Sequence, residues 1–146
     1  MNILIRTPVG QDYRRVWQGF NRDLFSALAP PFPPVRLLRF DGSLQGDEVH
    51  LELDFIFFRQ KWTSLITEQR ESPAEIYFVD QGIALPFFLK SWQHRHRIVR
   101  QGTGSVIIDD ITFQSPFWLM DYLLFPTLYL QFLYRKPIYR RLFGKP

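Results

Sequence analysis

Two long segments of alternating polarity, joined by a glycine-rich turn, constrain the fold of this chain more than any other feature. They lie within Phe88–Pro116, whose main part reads SWQHRHRIVRQGTGSVIIDDITFQSP. The pattern predicts two antiparallel strands joined by a two-residue loop, Gly102-Thr103, or by a four-residue loop, Gln101–Gly104. Both loops give the same register. The expected cross-strand pairs are Trp92 with Phe113, His94 with Ile111, His96 with Asp109, and Ile98 with Ile107.

The two faces of this predicted hairpin differ in polarity. Successive side chains of a strand point to opposite faces of a sheet. One face of the first strand is therefore apolar apart from two imidazoles, and the other is basic and solvated. The two sets are Trp92, His94, His96 and Ile98 on the apolar face, and Ser91, Gln93, Arg95 and Arg97 on the basic face.

Composition predicts a single domain, 1–146, with an extensive apolar interior. The chain has 146 residues, of which 46% are hydrophobic and 17% aromatic, with 15 phenylalanines. So many rings in one small domain indicate a large core or an apolar cavity lined by rings. Cysteine is absent, which excludes disulfides, thiolate-bound zinc and thiol catalysis. The start MNILIRTPV is too short for a signal peptide, so we expect a cytoplasmic protein.

The net charge of +4 raises the question of an anionic partner. Solvated surface is the simpler interpretation of such basic clusters, and no nucleic-acid-binding motif accompanies them. We therefore expect no nucleic acid as partner. A weak contact with an anionic membrane remains open, as do a monomer and a homodimer. The basic groups that would make the membrane contact are Arg135, Lys136, Arg140 and Arg141.

The remaining elements are read from periodicity and from helix-start signals. Alternation over Glu48–Phe58 places Phe57 on the core face and His50 among solvated acids, which argues against His50 as a catalytic base. Ser115 and Pro116 are expected to begin the last helix, which should kink near Pro126 and Pro137. Further strands are predicted at Asn2–Thr7, Val35–Phe40, Lys61–Arg70 and Ala74–Asp80, and helices at Gln11–Gly19, Arg22–Leu28 and Phe117–Phe143.

The apolar last helix has two interpretations. Its run FWLMDYLLFPTLYLQFLY could span a membrane, but Asp121, Pro126 and Gln131 interrupt it and it is barely long enough. A core helix laid across a sheet explains the same composition. The order of elements therefore predicts an α+β fold, in which about seven antiparallel strands curve around the C-terminal helix and two short helices follow the first strand. Sheet twist should leave a pocket between sheet and helix.

The hairpin resembles the SRPBCC superfamily, the helix-grip proteins of the START and birch-pollen-allergen type. It is similar to a bacterial subgroup, polyketide cyclase/dehydrase-like and ligand-binding, with a W-x-H-x-H strand, a Gly-Thr-like turn, and D-x-V-x-Y before a proline. The resemblance implies a helix-grip fold and a cavity for lipids, sterols, polyketides or hormones, and some relatives catalyse aromatic cyclisation. Trp92, His94, His96, Asp109 and Pro116 match the pattern, whereas Ile111 and Phe113 replace its Val and Tyr.

Inward-facing positions give the predicted binding site. For each of them ordinary core packing is the alternative. The expected ligand-binding residues are Leu53, Phe55, Trp62, Ile66, Phe78, Trp92, His94, His96, Ile107, Asp109, Ile111, Met120, Leu124 and Leu128, with Leu51 and Ile98 as further wall positions.

His94, His96 and Asp109 are the converging polar groups, and several roles fit them. They could form a buried network in which Asp109 accepts a hydrogen bond from His96. They could anchor the polar end of an apolar ligand, or act as general acid and base. A metal triad of two histidines and a carboxylate is also conceivable, although further ligands of the kind cupins use are missing, so we expect no metal and no cofactor.

The leading functional hypothesis is a non-enzymatic carrier or sensor for a small hydrophobic molecule. A cyclase/dehydrase-like enzyme using His94 or His96 with Asp109 is the first alternative. A peripheral membrane or protein-interaction module acting through the basic tail is the second.

Overall fold

The computed structural model describes residues 1–146, which form one antiparallel sheet and four helices. The seven strands follow the order β1-β7-β6-β5-β4-β3-β2. The predicted α+β helix-grip architecture is confirmed. The elements are β1 (Asn2–Val9), α1 (Tyr13–Gln18), α2 (Arg22–Ala27), β2 (Val35–Phe40), β3 (Glu48–Asp54), β4 (Arg59–Glu71), β5 (Glu75–Ala84), β6 (Ser91–Gln101), β7 (Gly104–Gln114), α3 (Trp118–Leu133) and α4 (Arg135–Phe143).

The β6–β7 hairpin has the predicted register. All four expected cross-strand pairs are present, and Gln101 pairs with Gly104 around the two-residue loop Gly102-Thr103. Gly102 adopts φ 58°, a left-handed conformation that a residue without Cβ accepts at little cost. The shorter of the two predicted loops is therefore the one that forms.

The first strand extends past its predicted end. Pro8 was expected to stop it, but β1 continues through Pro8 to Val9, with Pro8 opposite Val106. Strand β1 lies at the edge of the sheet, where a missing backbone donor is tolerated. Its buried positions alternate from Ile3 to Val9, so the apolar pattern outweighs the proline.

The third strand ends earlier than predicted. It stops at Asp54, whose carboxylate accepts a hydrogen bond from the Ile56 backbone N–H, and the backbone N–H of Phe55 donates to the carbonyl oxygen of Phe58. This tight turn reverses the alternation. Phe57 is 93% exposed, so its predicted place on the core face is wrong.

The C-terminal helix begins one residue later than predicted, and it is interrupted near Pro137, where a kink was expected. It starts at Trp118, not at Phe117, and is interrupted at Tyr134. Pro137 explains the break, because it has no N–H to donate to the carbonyl of Leu133 and its ring crowds that carbonyl. Pro126 lies inside α3.

The membrane-spanning interpretation of the last helix is not supported, since none of the helices has the length and apolar character that a membrane crossing requires.

Asp121 organises the start of α3, where Ser115 was expected to begin the helix as its N-cap. Its Oδ1 accepts hydrogen bonds from the backbone N–H and the hydroxyl of Ser115, both at 2.6 Å. The Ser115 hydroxyl also lies 2.6 Å from the carbonyl oxygen of Phe117. The predicted roles are thus reversed, since the helix carboxylate reaches back to the serine that precedes it.

Two apolar clusters hold the helices on the sheet. The first joins α1, α2 and α4 to the inner face through residues such as Val16, Ile107 and Tyr139. The second joins the C-terminal half of α3 to β1, β6 and β7 through Ile111 and Phe132 among others. The helices are therefore packed mainly over the β1–β7–β6 side, and the inner face of the remaining strands has fewer helical partners.

Ile56 offers a test of the β3–β4 turn. It adopts φ 75° and is 75% exposed, so a β-branched side chain is held in the left-handed region without burial to offset the strain. We expect Ile56→Asn to raise the free energy of unfolding by about 1 kcal/mol, because asparagine tolerates this region better. Denaturant unfolding measures the change. The control Phe57→Asn, at an exposed position with negative φ, should give no gain; an equal gain in both variants would contradict the explanation.

Asp121 gives a prediction for pH dependence. The hydrogen bonds from the side chain and backbone of Ser115 lower the pKa of Asp121 below its ordinary value of 3.8. A lowered folded-state pKa adds stability above the unfolded pKa, and this stability is lost as the pH falls through the folded pKa. We expect Asp121→Asn to be less stable than the original chain at pH 7, with the gap closing below about pH 4.

Urea unfolding at several pH values measures this gap. Glu71→Gln, at an exposed carboxylate, is the control. A gap for Asp121→Asn that stays constant down to the lowest pH would contradict the assignment.

Candidate functional site

A cavity of about 440 Å³ lies between the inner face of the sheet and helices α2 and α3. Its sheet wall comes from β2 to β6, and most of these strands have few helical partners. The predicted residues that line it are Leu51, Leu53, Phe55, Trp62, Ile66, Phe78, Trp92, His94, His96, Met120, Leu124 and Leu128.

Four predicted positions do not line the cavity. Ile98 and Ile107 pack with the side chains of α1 and α4, and Ile111 packs under Leu128 and Phe132. Asp109 is 1% exposed and lies behind His94. All four were expected in the wall. Strand β7 and the β6–β7 turn region are covered by α1 and the C-terminal helices, which is why their inward side chains belong to the core.

Other lining residues were missed at the sequence level. Leu24 on α2 and Leu28, the residue that caps the end of α2, are one helical turn apart and face the cavity with Phe20. A helix was predicted at Arg22–Leu28, but the direction of its apolar side depends on how the proline-rich connector returns to β2. Pro30, Pro33, Val35, Phe88, Gln131, Phe132 and Arg135 also contribute.

Two histidine–carboxylate pairs lie side by side on the inner face. Nε2 of His94 is 2.9 Å from Oδ1 of Asp109, and Nε2 of His96 is 2.6 Å from Oδ2 of Asp80. The predicted hydrogen bond between His96 and Asp109 is therefore wrong. Asp80 was missed, although it lies two residues after the inward-facing Phe78 and so shares its face.

The pairing follows from the strand register. His94 is directly opposite Asp80 on β5 and Ile111 on β7, whereas His96 is opposite Phe78 and Asp109. Each imidazole nevertheless bonds a carboxylate diagonally across from it. Diagonal cross-strand neighbours are within reach of long side chains, and strand twist brings one diagonal closer than the other.

Arg135 joins the cluster from the start of α4. Its Nη1 is 3.5 Å from Oδ1 of Asp109, and its guanidinium lies 4.3 Å from the centre of the Phe132 ring. Its side chain is only 14% exposed, so Arg135 is not available for the membrane contact predicted for it. Lys136 donates to the backbone carbonyl of Arg6, which leaves Arg140 and Arg141 as the exposed members of that set.

Burial and pairing determine the charges of the cluster. Burial lowers the pKa of His96 to about 4, helped by the neighbouring His94 and opposed by the hydrogen bond to Asp80, so the ring is neutral at pH 7. Burial by itself would raise the pKa of Asp80 and Asp109. For Asp80, the hydrogen bond from His96 and nearby positive charge outweigh the effect of burial. For Asp109, the hydrogen bond from His94 and the charge of Arg135 outweigh it. The pKa of each carboxyl is therefore lower than its ordinary value.

Aromatic stacking holds the two imidazoles in place. The rings of His94 and His96 stack with centroids 3.5 Å apart, and Phe78 stacks on the other side of His96 at 4.2 Å. Trp92 contacts His94 edge-on and Trp62 at 4.8 Å. The polar groups are thus fixed within an apolar wall. They can offer an oriented hydrogen-bond site, a proton donor and acceptor, or, through Asp80, His94 and His96, metal-ligand atoms.

Solved structures of similar fold support this architecture. Protein CV1439 from Chromobacterium violaceum matches with a TM-score of 0.70 and 15% identity over 100% of this chain and 99% of that one. Protein Ms6760 from Mycobacterium smegmatis matches at 0.67 with 17% identity, covering 97% and 89%. The Zhui aromatase/cyclase from Streptomyces sp. R1128 matches at 0.65 with 15% identity, covering 94% and 89%.

Sequence comparison gives no closer relationship, since no protein-family profile and no curated protein matches the chain. At identities of 15–17%, the TM-scores of 0.65–0.70 show a shared fold and no closer relationship. The element order, the sheet topology and these structural matches together confirm the predicted resemblance at the level of the fold: the chain has a helix-grip fold.

Proposed function

We propose that this protein binds a small hydrophobic molecule in the cavity between the sheet and helices α2 and α3, as a carrier or a sensor. The observation that carries the proposal is the composition of the cavity wall. Of its 31 lining residues 19 are hydrophobic, and the charged and imidazole groups converge on one part of it. Ligand pockets of a few hundred Å³ are built in this way, with apolar surface for affinity and a few polar groups for orientation.

The polar part of the wall indicates what one end of the ligand carries. Asp80, His94, His96 and Arg135 all face the cavity, and the first three are ordered by hydrogen bonds and stacking. Arg135 supplies donors, and the imidazole nitrogens supply a donor or an acceptor according to tautomer. An apolar body with one oxygen-bearing end, such as a fatty acid, a phenol or a polyketide-like carbonyl compound, matches this arrangement.

Filling the cavity tests binding directly. Leu51 lines the cavity from β3, and the next residue, Glu52, points to the other face of the sheet. We expect Leu51→Trp to abolish the fluorescence enhancement of anilinonaphthalene sulfonate and the retention of any co-purified molecule, because the indole occupies the space of the guest. Fluorescence titration and native mass spectrometry are the two measurements.

Glu52→Trp is the matched control, with the same substitution on the opposite face, and it should bind as the unmodified chain does. Thermal melting verifies that both variants fold. If the unmodified chain binds neither the probe nor a co-purified molecule, or if both variants bind normally, the proposed function is wrong.

A cyclase/dehydrase-like activity is the second candidate, and the buried pair of His94 and Asp109 is the observation that favours it. A carboxylate that holds an imidazole in one tautomer supports general acid and base catalysis beside a bound carbonyl compound. The structural similarity to an aromatase/cyclase is compatible with such a reaction. Arg135, near Asp109, would then stabilise negative charge on an oxygen of the substrate.

His94→Gln separates the two candidates. The molecule released from the purified chain, or a polyketide-like analogue of it, is incubated with protein and followed by mass spectrometry. An enzyme should convert it with loss of water, and the His94→Gln variant should still bind it but lose turnover by about 100-fold or more. A carrier should return it unchanged. His50→Gln, at a partly exposed histidine on β3, is the control and should leave any turnover intact.

A further inference from the structure

We propose that Asp80, His94 and His96 form a site for a divalent first-row transition-metal ion in the wall of the cavity. One ligand atom from each residue lies within 4.8 Å of the other two. Oδ2 of Asp80 is 2.6 Å from Nε2 of His96 and 3.7 Å from Nδ1 of His94. Two imidazoles and a carboxylate that converge in this way form a known type of three-ligand site for zinc and for non-haem iron.

The distances fit an ion of this size. Zinc binds imidazole nitrogen and carboxylate oxygen at about 2.0–2.2 Å in near-tetrahedral geometry, which places two such ligand atoms about 3.3 Å apart. The separations of 2.6 and 3.7 Å lie on either side of that value. The two imidazoles, which stack with centroids 3.5 Å apart and planes 28° apart, must rotate away from each other so that the lone pairs of both rings point at one ion.

Asp109 prepares His94 for this role. Nε2 of His94 lies 2.9 Å from Oδ1 of Asp109, so in a neutral ring this nitrogen carries the proton and Nδ1, which faces Asp80, keeps its lone pair. A carboxylate that accepts the second N–H of a metal-bound imidazole is the common outer partner in protein metal sites. Asp109 is held in turn by Arg135, at 3.5 Å.

His96 needs one proton rearrangement. In the metal-free protein its Nε2 donates to Asp80, while its Nδ1 is buried without a hydrogen-bond partner. An ion bound to Nε2 takes the place of that proton, and the ring becomes the tautomer protonated at Nδ1. The number of protons on the ring is unchanged, and Asp80 exchanges a hydrogen bond for a metal bond.

The charge balance indicates which guest the ion would accept. Asp80 and Asp109 contribute two negative charges and Arg135 one positive charge, so a divalent ion leaves one positive charge in a buried site. A bound anionic oxygen would neutralise it. Three protein ligands also leave a coordination position open towards the cavity. Given the proposed function, the guest class is an apolar molecule that carries a carboxylate, phenolate or enolate oxygen.

Metal binding by the complete chain is the first test. Protein stripped with a chelator is titrated with Zn²⁺ by calorimetry, and Co²⁺ is added as a spectroscopic probe. We expect one ion per chain, visible absorption bands of the intensity typical of four or five ligands, and two imidazoles in the X-ray absorption spectrum of the cobalt protein. A chain that binds neither ion, or whose bound cobalt has no imidazole ligands, overturns the proposal whatever the variants do.

Variants locate the ion. Asp80→Asn and His94→Gln should lose Zn²⁺ binding, and Asp109→Asn, which removes only the outer partner of His94, should weaken it by about 10- to 100-fold. His50→Gln is the control, because His50 and Glu48 form a separate, partly exposed pair on β3. Loss of binding in His50→Gln, with retention in Asp80→Asn, would place the ion on the surface and overturn the proposal.

The proposed metal site and the proposed hydrophobic binding site can be refuted independently of each other. Anilinonaphthalene sulfonate is titrated into metal-free protein, so its binding tests the cavity alone, while the zinc titration tests the cluster alone. Tighter binding of a fatty acid to the zinc-loaded chain than to the metal-free chain would support the predicted oxygen ligand. Equal binding by the two forms would overturn that assignment.

Discussion

The pairing of β6 with β7 is the interaction on which the rest of the structure depends. Its register places Trp92, His94 and His96 on the inner face and leaves the arginines between them outside. Strand β7 then provides the surface against which β1 and both C-terminal helices pack. A slip by one residue would exchange the two faces, bury the arginines and expose both imidazoles, at a cost that no other part of the domain could offset.

Burial of charge in this interior is possible because every charged group has a partner. Asp80 and Asp109 each accept from a histidine, and Arg135 adds positive charge beside Asp109. Removing His94, His96 or Arg135 would leave a buried carboxylate without one of its partners, which is costly. The cluster therefore stabilises the wall of the cavity as one unit, and the same pairing presents its remaining polar atoms to the space in front of it.

Sequence reasoning gave the hairpin, its register, the fold class and most of the cavity wall, because alternation in a half-buried strand reports directly on faces. It missed Asp80, since the choice between directly opposite and diagonal partners depends on strand twist. Arg135 was assigned to a basic surface. Its inward position depends on how the break at Tyr134, caused by the proline three residues later, redirects the chain. Phe57 was misplaced for a similar reason, as a turn of four residues ended the alternation before its last aromatic positions.

The two walls of the cavity are held by different interactions, and this difference bears on how the cavity can open. The sheet wall is a continuous ladder of backbone hydrogen bonds, and separating two strands would break several of them at once. The opposite wall rests on side-chain packing, and along α3 the buried residues are Leu128 and Phe132, in its C-terminal half. A movement that widens the cavity should therefore involve the first turns of α3 or the connector before β2, because the sheet would have to break several hydrogen bonds at once.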